Sequence, residues 1–369
     1  MSIRNLMRGA ILVFPLLLTP GAQAQDKVYD VLELPAVKSD FAAKSLIYSV
    51  RKYGDRYFAT GQRGHILYSD DNGDTWIQAD VPVRSSILDI FFPSAEKGWA
   101  IGHEAVILHS DDGGKTWVKQ YDGLRLAADG LDYYQEKVAE DPNDTVVPIL
   151  ADEMEFSASQ GADKPLFSIY CFSDTACNAG GAYGIAIKTR DGGKTWLPTM
   201  HRNENLDFFH LFDATSLPGK NRFFLVGEAA LFMTAYIDED TDDDSAEGMA
   251  KRVETVPWNG SFFTVIDSAD DAIIAGGLRG KMYRTPDEGD TWEAVSKPDT
   301  SAIVDSIRLQ DNRLVVVGVA GEVLISTDNG KSFSLAAVDD TGPINSVAEG
   351  PDNTLILGGP KGLAKVTLP

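Results

Sequence analysis

The chain has 369 residues, 43% hydrophobic and 24% charged, with 34 Gly, 17 Pro and 2 Cys, which excludes a disordered, collagen-like or disulfide-framework protein. Its 33 Lys and Arg against 55 Asp and Glu give a net charge of −22. Nucleic acid and anionic membrane surfaces are therefore poor partners for the body of the molecule.

In chain order, residues 1–24 read as a signal peptide. Arg4 and Arg8 precede the apolar run Ala10–Leu18, and Ala22-Gln23-Ala24 carries the small-x-small pattern of a cleavage site, with the cut after Ala24 and before Gln25. The run is too short to cross a bilayer of roughly 30 Å, and no later stretch is apolar enough to span one. The mature chain, 25–369, is thus expected in the periplasm or outside the cell, as a single domain. Val28–Leu34 reads as a lone strand.

A repeated unit follows. Gly-x-x-Gly/Ala before an apolar run begins at Gly61, Gly102, Gly181, Gly227, Gly277, Gly318 and Gly359, at intervals of 41, 79, 46, 50, 41 and 41 residues. Ten residues into five of the units comes a second pattern, Ser/Thr-x-Asp-x-Gly-x-Thr/Ser-aromatic. It is centred on Asp71, Asp112, Asp191, Asp287 and Asp328 and ends on Trp76, Trp117, Trp196, Trp292 and Phe333. In the fourth unit Ile237 stands where the Asp belongs, and the seventh ends at Pro369 before reaching it. Asp accepts bonds from nearby N–H groups in such a turn, Gly supplies positive φ, and the aromatic side chain packs into the sheet. The pattern resembles the Asp-box, or BNR, repeat, whose place is the turn between the third and fourth strands of a propeller blade, usually as a structural staple. Four short strands per unit predict an all-β, seven-bladed β-propeller. The last unit runs out after three strands, so Val28–Leu34 is expected to serve as its outer strand and close the ring.

The 79-residue interval holds an insertion at 123–164, predicted to be partly helical over Ala128–Glu140, where Leu131, Tyr134 and Val138 share a helical face before Pro142. It fits either a solvated excursion packed on the rim or a partner-docking arm. Cys171 and Cys177, with five residues between them in an oxidising compartment, fit a disulfide across a hairpin or two half-buried thiols. The acidic run 238–247 fits a hydrated loop far better than a Ca²⁺ loop, lacking the EF-hand Gly and terminal Glu.

Sialidases are similar in box and blade, but their early Arg-Ile-Pro segment is absent, as are Gly-x-Ser-x-Gly and His-Glu-x-x-His. No catalytic residue, cofactor or metal is expected. A sialidase-like glycan-binding or glycoside-hydrolysing propeller is the alternative. The Gly-x-x-Gly tips, which join the second and third strands, gather on one face and offer Arg63, Arg279 and Lys361 with His103 and Tyr183. These are either turn residues exposed by default or a cationic and aromatic patch for a partner's anionic or polypeptide surface.

The unit seen at Gly61–Trp76 and Gly277–Trp292 resembles the photosystem II stability/assembly-factor-like family of exported seven-bladed propellers. That resemblance implies a non-enzymatic, monomeric scaffold that holds a membrane-protein complex, partly through an arginine patch. The photosynthetic members act in photosystem II assembly, and other bacterial members accompany transporters of the resistance-nodulation-division type.

Overall fold

The structure, a computed structural model, describes residues 30–217, 219–237, 249–339 and 342–369. The signal peptide 1–24 and the acidic run 238–247 lie outside the described residues. Each repeat forms one antiparallel sheet because β-branched and aromatic residues alternate along short runs bounded by Gly, Asn and Asp turns. In the first repeat the strands are Ile47–Tyr53, Arg56–Gly61, Ile66–Ser69 and Ile77–Gln78, hydrogen-bonded in chain order. Six sheets have four strands and the last, residues 346–367, has three. The molecule is a seven-bladed β-propeller. No helix among the described residues is long and apolar enough to cross a membrane.

The core is divided among the seven junctions between adjacent blades. Phe58 of blade 1 packs with Ile90 and Trp117 of blade 2, and Trp99 of blade 2 with Ile169 and Trp196 of blade 3. Phe224 and Phe232 of blade 4 meet Phe262 of blade 5, and Ile274 of blade 5 meets Phe333 of blade 6. Val317 of blade 6 meets Val347 of blade 7. Ile356 of blade 7 meets Trp76 and Tyr57 of blade 1, which completes the circle.

The expected closing strand is absent from the last sheet. Of its residues, 28 and 29 lie outside those described. Asp30 turns the chain by accepting from Leu32 N (2.9 Å), and backbone bonds Arg84 N to Val31 O and Ala36 N to Val81 O hold the segment on the connection between blades 1 and 2. Leu32 is buried there. Closure comes instead from the inner strands. Asn345 Nδ2 donates to Ile47 O (2.8 Å), and Val50 N to Ser346 Oγ (2.9 Å). Arg51 Nη1 reaches Asp305 on blade 6 at 2.9 Å, and its Nε approaches Asp89 on blade 2 at 3.4 Å. The unpaired edge strand, Gly362–Thr367, carries Lys365 in an ion pair with Asp74, a charge that discourages edge-to-edge pairing.

The insertion is a helical hairpin, α1 (Gly123–Glu140) and α2 (Val147–Gln160). Asp122 caps α1 by accepting from Leu124 N and Arg125 N, so the helix starts five residues before the predicted Ala128. The second helix was not anticipated. Asp144 accepts from Val146 N and Val147 N at its start, and Val147, Leu150 and Met154 bury one face. With Tyr134 they pack on Met200, Leu211 and Leu231 of blades 3 and 4. Cys171 and Cys177 stand directly opposite each other on neighbouring strands and are joined as a disulfide.

Candidate functional site

The five Asp-containing turns fold alike. In blade 1, Asp71 accepts from Thr75 N (2.9 Å), Thr75 Oγ1 (2.5 Å) and Ser69 Oγ (2.8 Å), while Ser69 Oγ receives Gly73 N at 2.9 Å. The bonds from Thr75 and Ser69 hold Asp71 down to about 2. Asp112, Asp191, Asp287 and Asp328 repeat the hydroxyl pairing with Thr116, Thr195, Thr291 and Ser332. The glycine of each turn meets the preceding blade: a Cβ on Gly114 would come within 2.5 Å of Phe58, and one on Gly73 within 2.5 Å of Ile356. With every carboxylate oxygen engaged inside its own turn, these residues are structural.

The Gly-x-x-Gly tips occupy the opposite face. In blades 1 to 5 their middle residue is left-handed without being glycine: Arg63 (φ 58°), Glu104 (58°), Tyr183 (54°), Ala229 (52°) and Arg279 (57°). This conformation costs an L-residue about 1 kcal/mol or more. Arg63, Arg279 and Lys361 are exposed and form no ion pair among the described residues. Arg63 and Lys361 stand on adjacent blades, but Arg279, on blade 5, belongs to another sector of the ring. His103 is half-buried and bonded through its backbone N to Ser86 O. Tyr183, 51% exposed, packs edge-on against His210 (5.0 Å) and below Lys164 (5.7 Å). His210 Nδ1 accepts from Tyr183 N at 2.9 Å, so the approach of Glu228 to that same nitrogen at 3.7 Å is not an ion pair.

Within this ring of tips lies a collar that sequence reasoning missed. In blades 1 to 6 the inner strand enters from the tip face with a bulge one residue after its first apolar position, and the bulge residue turns to the axis. Tyr48, Leu88, Phe167, Phe212, Phe263 and Val304, with Asn345 in blade 7, line the mouth of the axial channel, half-exposed. Phe212 lies 5.4 Å from Phe167 and 5.3 Å from Phe263. The signal was present in the sequence: an apolar residue, the collar residue, then Ser, Thr or Asp recurs as Ile47-Tyr48-Ser49, Leu211-Phe212-Asp213, Phe262-Phe263-Thr264 and Ile303-Val304-Asp305.

The third position of that pattern builds a polar belt beneath the collar. Ser49 Oγ donates to Asp89 (3.0 Å), Thr264 Oγ1 to Asp213 (3.0 Å) and Ser346 Oγ to Asp305 (2.6 Å), each across a blade junction. Burial raises Asp213 to about 7 against the opposing pull of Val265 N–H and Arg51, and burial likewise raises Asp89. These carboxylates are committed to neighbours. The collar above them is the apolar surface left open, and the hairpin flanks it with Phe156, 57% exposed beside Lys164.

A family model described as "Photosynthesis system II assembly factor YCF48" matches residues 72–145, from the Asp71 turn through blade 2 and α1. No curated protein matches the chain. Among solved structures, YCF48 bound to a D1 peptide is similar with a TM-score of 0.60 and 15% identity over 91% of this chain and 99% of that one. YCF48 from Cyanidioschyzon merolae gives 0.57 and 14% over 88% and 96%. The WD40 propeller domain of Doa1 gives 0.59 and 13% over 91% and 95%, so the structural likeness is that of the propeller as such. The chain is a seven-bladed propeller similar to the photosystem II assembly factors, in fold over nearly its whole length and in sequence over blade 2 and its flanks.

Proposed function

We propose that this chain is an exported, non-enzymatic scaffold that captures a polypeptide segment of a membrane-protein complex on its tip face, in the periplasm. The observation that carries the proposal is the apolar collar enclosed by strained, exposed tips, with Arg63 and Lys361 on one side and Arg279 on another. Left-handed non-glycine residues persist where surrounding structure enforces them, and such positions gather at ligand-contacting sites. An aromatic centre with a charged rim is the anatomy of a polypeptide interface: the centre supplies affinity and the rim selects the partner's charge. The similar YCF48 structure with a D1 peptide supports a polypeptide ligand. The partner is then a periplasmic segment of an integral membrane protein, in a photosystem or in a transporter of the resistance-nodulation-division type. The partner segment should bring an apolar side chain to the collar and acids to the rim.

The test places a photoreactive phenylalanine at Phe212 in the native host and identifies the cross-linked protein. A membrane-protein adduct is expected. The Arg63→Glu/Arg279→Glu variant should lose it while melting within about 2 °C of the parent, since exposed tip charges contribute little to stability. An adduct unchanged by charge reversal, or turnover of fluorogenic glycosides by the purified chain, would sink the proposal and favour the sialidase-like alternative.

A further inference from the structure

The tip face is uneven around the ring. Of the seven middle tip residues only Tyr183 is aromatic, and it stands in the sector that carries the helical hairpin. Its left-handed backbone (φ 54°) and the bond from its N–H to His210 Nδ1 hold it in place, 51% exposed. From Tyr183, exposed and half-exposed rings run in both directions. Inward, it meets His210 at 5.0 Å, His210 meets Phe212 at 5.9 Å, and Phe212 meets Phe263 at 5.3 Å, which reaches the collar. Outward, Lys164 Nζ lies 5.7 Å from the Tyr183 ring and 6.0 Å from the Phe156 ring, so the path continues onto α2. Lys164 is 8% exposed and holds both rings against one buried cation.

At that outer end the charge changes sign. Arg63, Arg279 and Lys361 stand in other sectors, on blades 1, 5 and 7, whereas α2 has three acids and no base. Ile149, Asp152 and Phe156 fall at i, i+3 and i+7 on one exposed stripe of the helix, with Glu155 exposed beside them. Lys164 is engaged by Asp163, at 3.5 Å, and neither Asp152 nor Glu155 has an ion-pair partner among the described residues. An exposed aromatic flanked by unpaired carboxylates fits a partner that brings an apolar and a basic side chain together.

We propose that the hairpin is the outer half of the capture surface: the partner segment lies extended along this path, with apolar side chains on the rings from Phe212 to Phe156 and a Lys or Arg over Asp152 and Glu155. An extended chain sets same-side residues roughly 7 Å apart, close to the ring spacing, so alternate side chains can follow the path. The inference rests on the polypeptide-capture reading and adds to it the segment's course and the charge at its outer end.

The experiment compares photoreactive phenylalanine at Phe156 and at Phe212, in separate full-length chains in the native host, with each adduct mapped to a residue of the partner. Both positions should mark one polypeptide, at sites within about ten residues of each other, with a Lys or Arg within about three residues of the Phe156 site. The Asp152→Lys/Glu155→Lys variant should cut the Phe156 adduct about fivefold, the scale of an exposed ion pair turned to repulsion, and should melt within about 2 °C of the parent. A Phe212 adduct with none at Phe156, adducts to two different polypeptides, or a Phe156 adduct indifferent to the charge swap would overturn this inference and leave the collar reading standing. No adduct at Phe212 would end the collar reading, and this one with it.

Discussion

The junction between blades 1 and 2 and the one between blades 3 and 4 use the same backbone contact with different fillings. In the first, Asp80 N donates to Lys115 O and Trp117 N to Asp80 O, both at 2.9 Å. Trp117, 4% exposed, then seals the junction, its Nε1 on Gly114 O at 3.0 Å. In the second, Ala250 N donates to Arg202 O and Glu204 N to Ala250 O, so the backbone bridge survives the loss of the Asp turn. No turn aromatic enters. Tyr134, Leu150 and Met154 of the hairpin fill one end, and a cleft lined by Ile187, Leu225 and Met233 lies beside them. Holding two blades together and filling the space between them are therefore separable tasks. The Asp turn performs the second, and blade 4, which drops it, keeps its place in the ring through the backbone bridge and the hairpin.

The largest expected effect breaks the sealed junction. Trp117→Ala should lower stability by about 3–5 kcal/mol, the usual range for truncating a buried tryptophan. Tyr236→Ala at the open junction, 60% exposed and stacked, among the described residues, on Arg222, should cost about 1 kcal/mol or less. Urea midpoints of the two variants measure the contrast. Similar losses would mean that the open junction is filled as firmly as the sealed one.

What the sequence disclosed follows the same division. The five Asp turns were legible because their chemistry is local: Asp71 and Thr75 fold the turn with bonds spanning four residues. Loss of the turn at Ile237 was equally plain, but the cleft was not, because it depends on what two separate blades fail to bring together. The collar was missed for a related reason. A bulge turns Phe212 to the axis, and simple strand alternation does not reveal a bulge. The ring latch was misassigned because Val28–Leu34 has a strand's composition, whereas Asp30 spends its carboxylate on Leu32 N and starts a turn. Arg51, which does bridge blades 1, 2 and 6, carries no sign of it in its neighbours along the chain.

The closure at blades 7 and 1 offers a second, smaller test, since the last sheet has three strands among the described residues and one cation bridges the neighbouring blades. Arg51→Met would strand Asp305 and Asp89 without their cation. Removing one partner of a fully buried pair costs roughly 3–5 kcal/mol. Arg51 keeps 28% of its side chain exposed, so about 2 kcal/mol is expected. A loss under about 0.5 kcal/mol would show that Asn345 and Ser346 close the ring alone.

Asp213 adds a pH dependence to the belt. Because burial raises it to about 7, the folded chain holds a proton that the unfolded chain releases near pH 4. The resulting stability is complete below about pH 4 and is lost as pH rises through about 7. Asp213 is half-exposed to the channel, so the parent should be less stable at pH 8 than at pH 5 by about 1 kcal/mol. Asp213→Asn should flatten that difference, read from urea melts at the two pH values. A slope unchanged in the variant would assign it elsewhere.

The Asp turns titrate with the opposite sign, and they give the smallest effect. Asp71, held at about 2 by Thr75 and Ser69, keeps its charge in the folded chain after the unfolded chain has begun to take up protons near pH 4. Its contribution is present above about pH 4 and disappears as pH falls toward 2. Thr75→Val removes the hydroxyl bond to Asp71 Oδ2 and leaves the backbone bond to Oδ1. The carboxyl should then titrate higher, and the acid-unfolding midpoint should move up by about 0.3 pH unit. The same change at Thr234, on the third strand of blade 4 where no Asp turn follows, should leave that midpoint in place. Circular dichroism between pH 5 and 2 reads both, and an equal shift in the two variants would mean that acid sensitivity belongs to the blades in general and not to their turns.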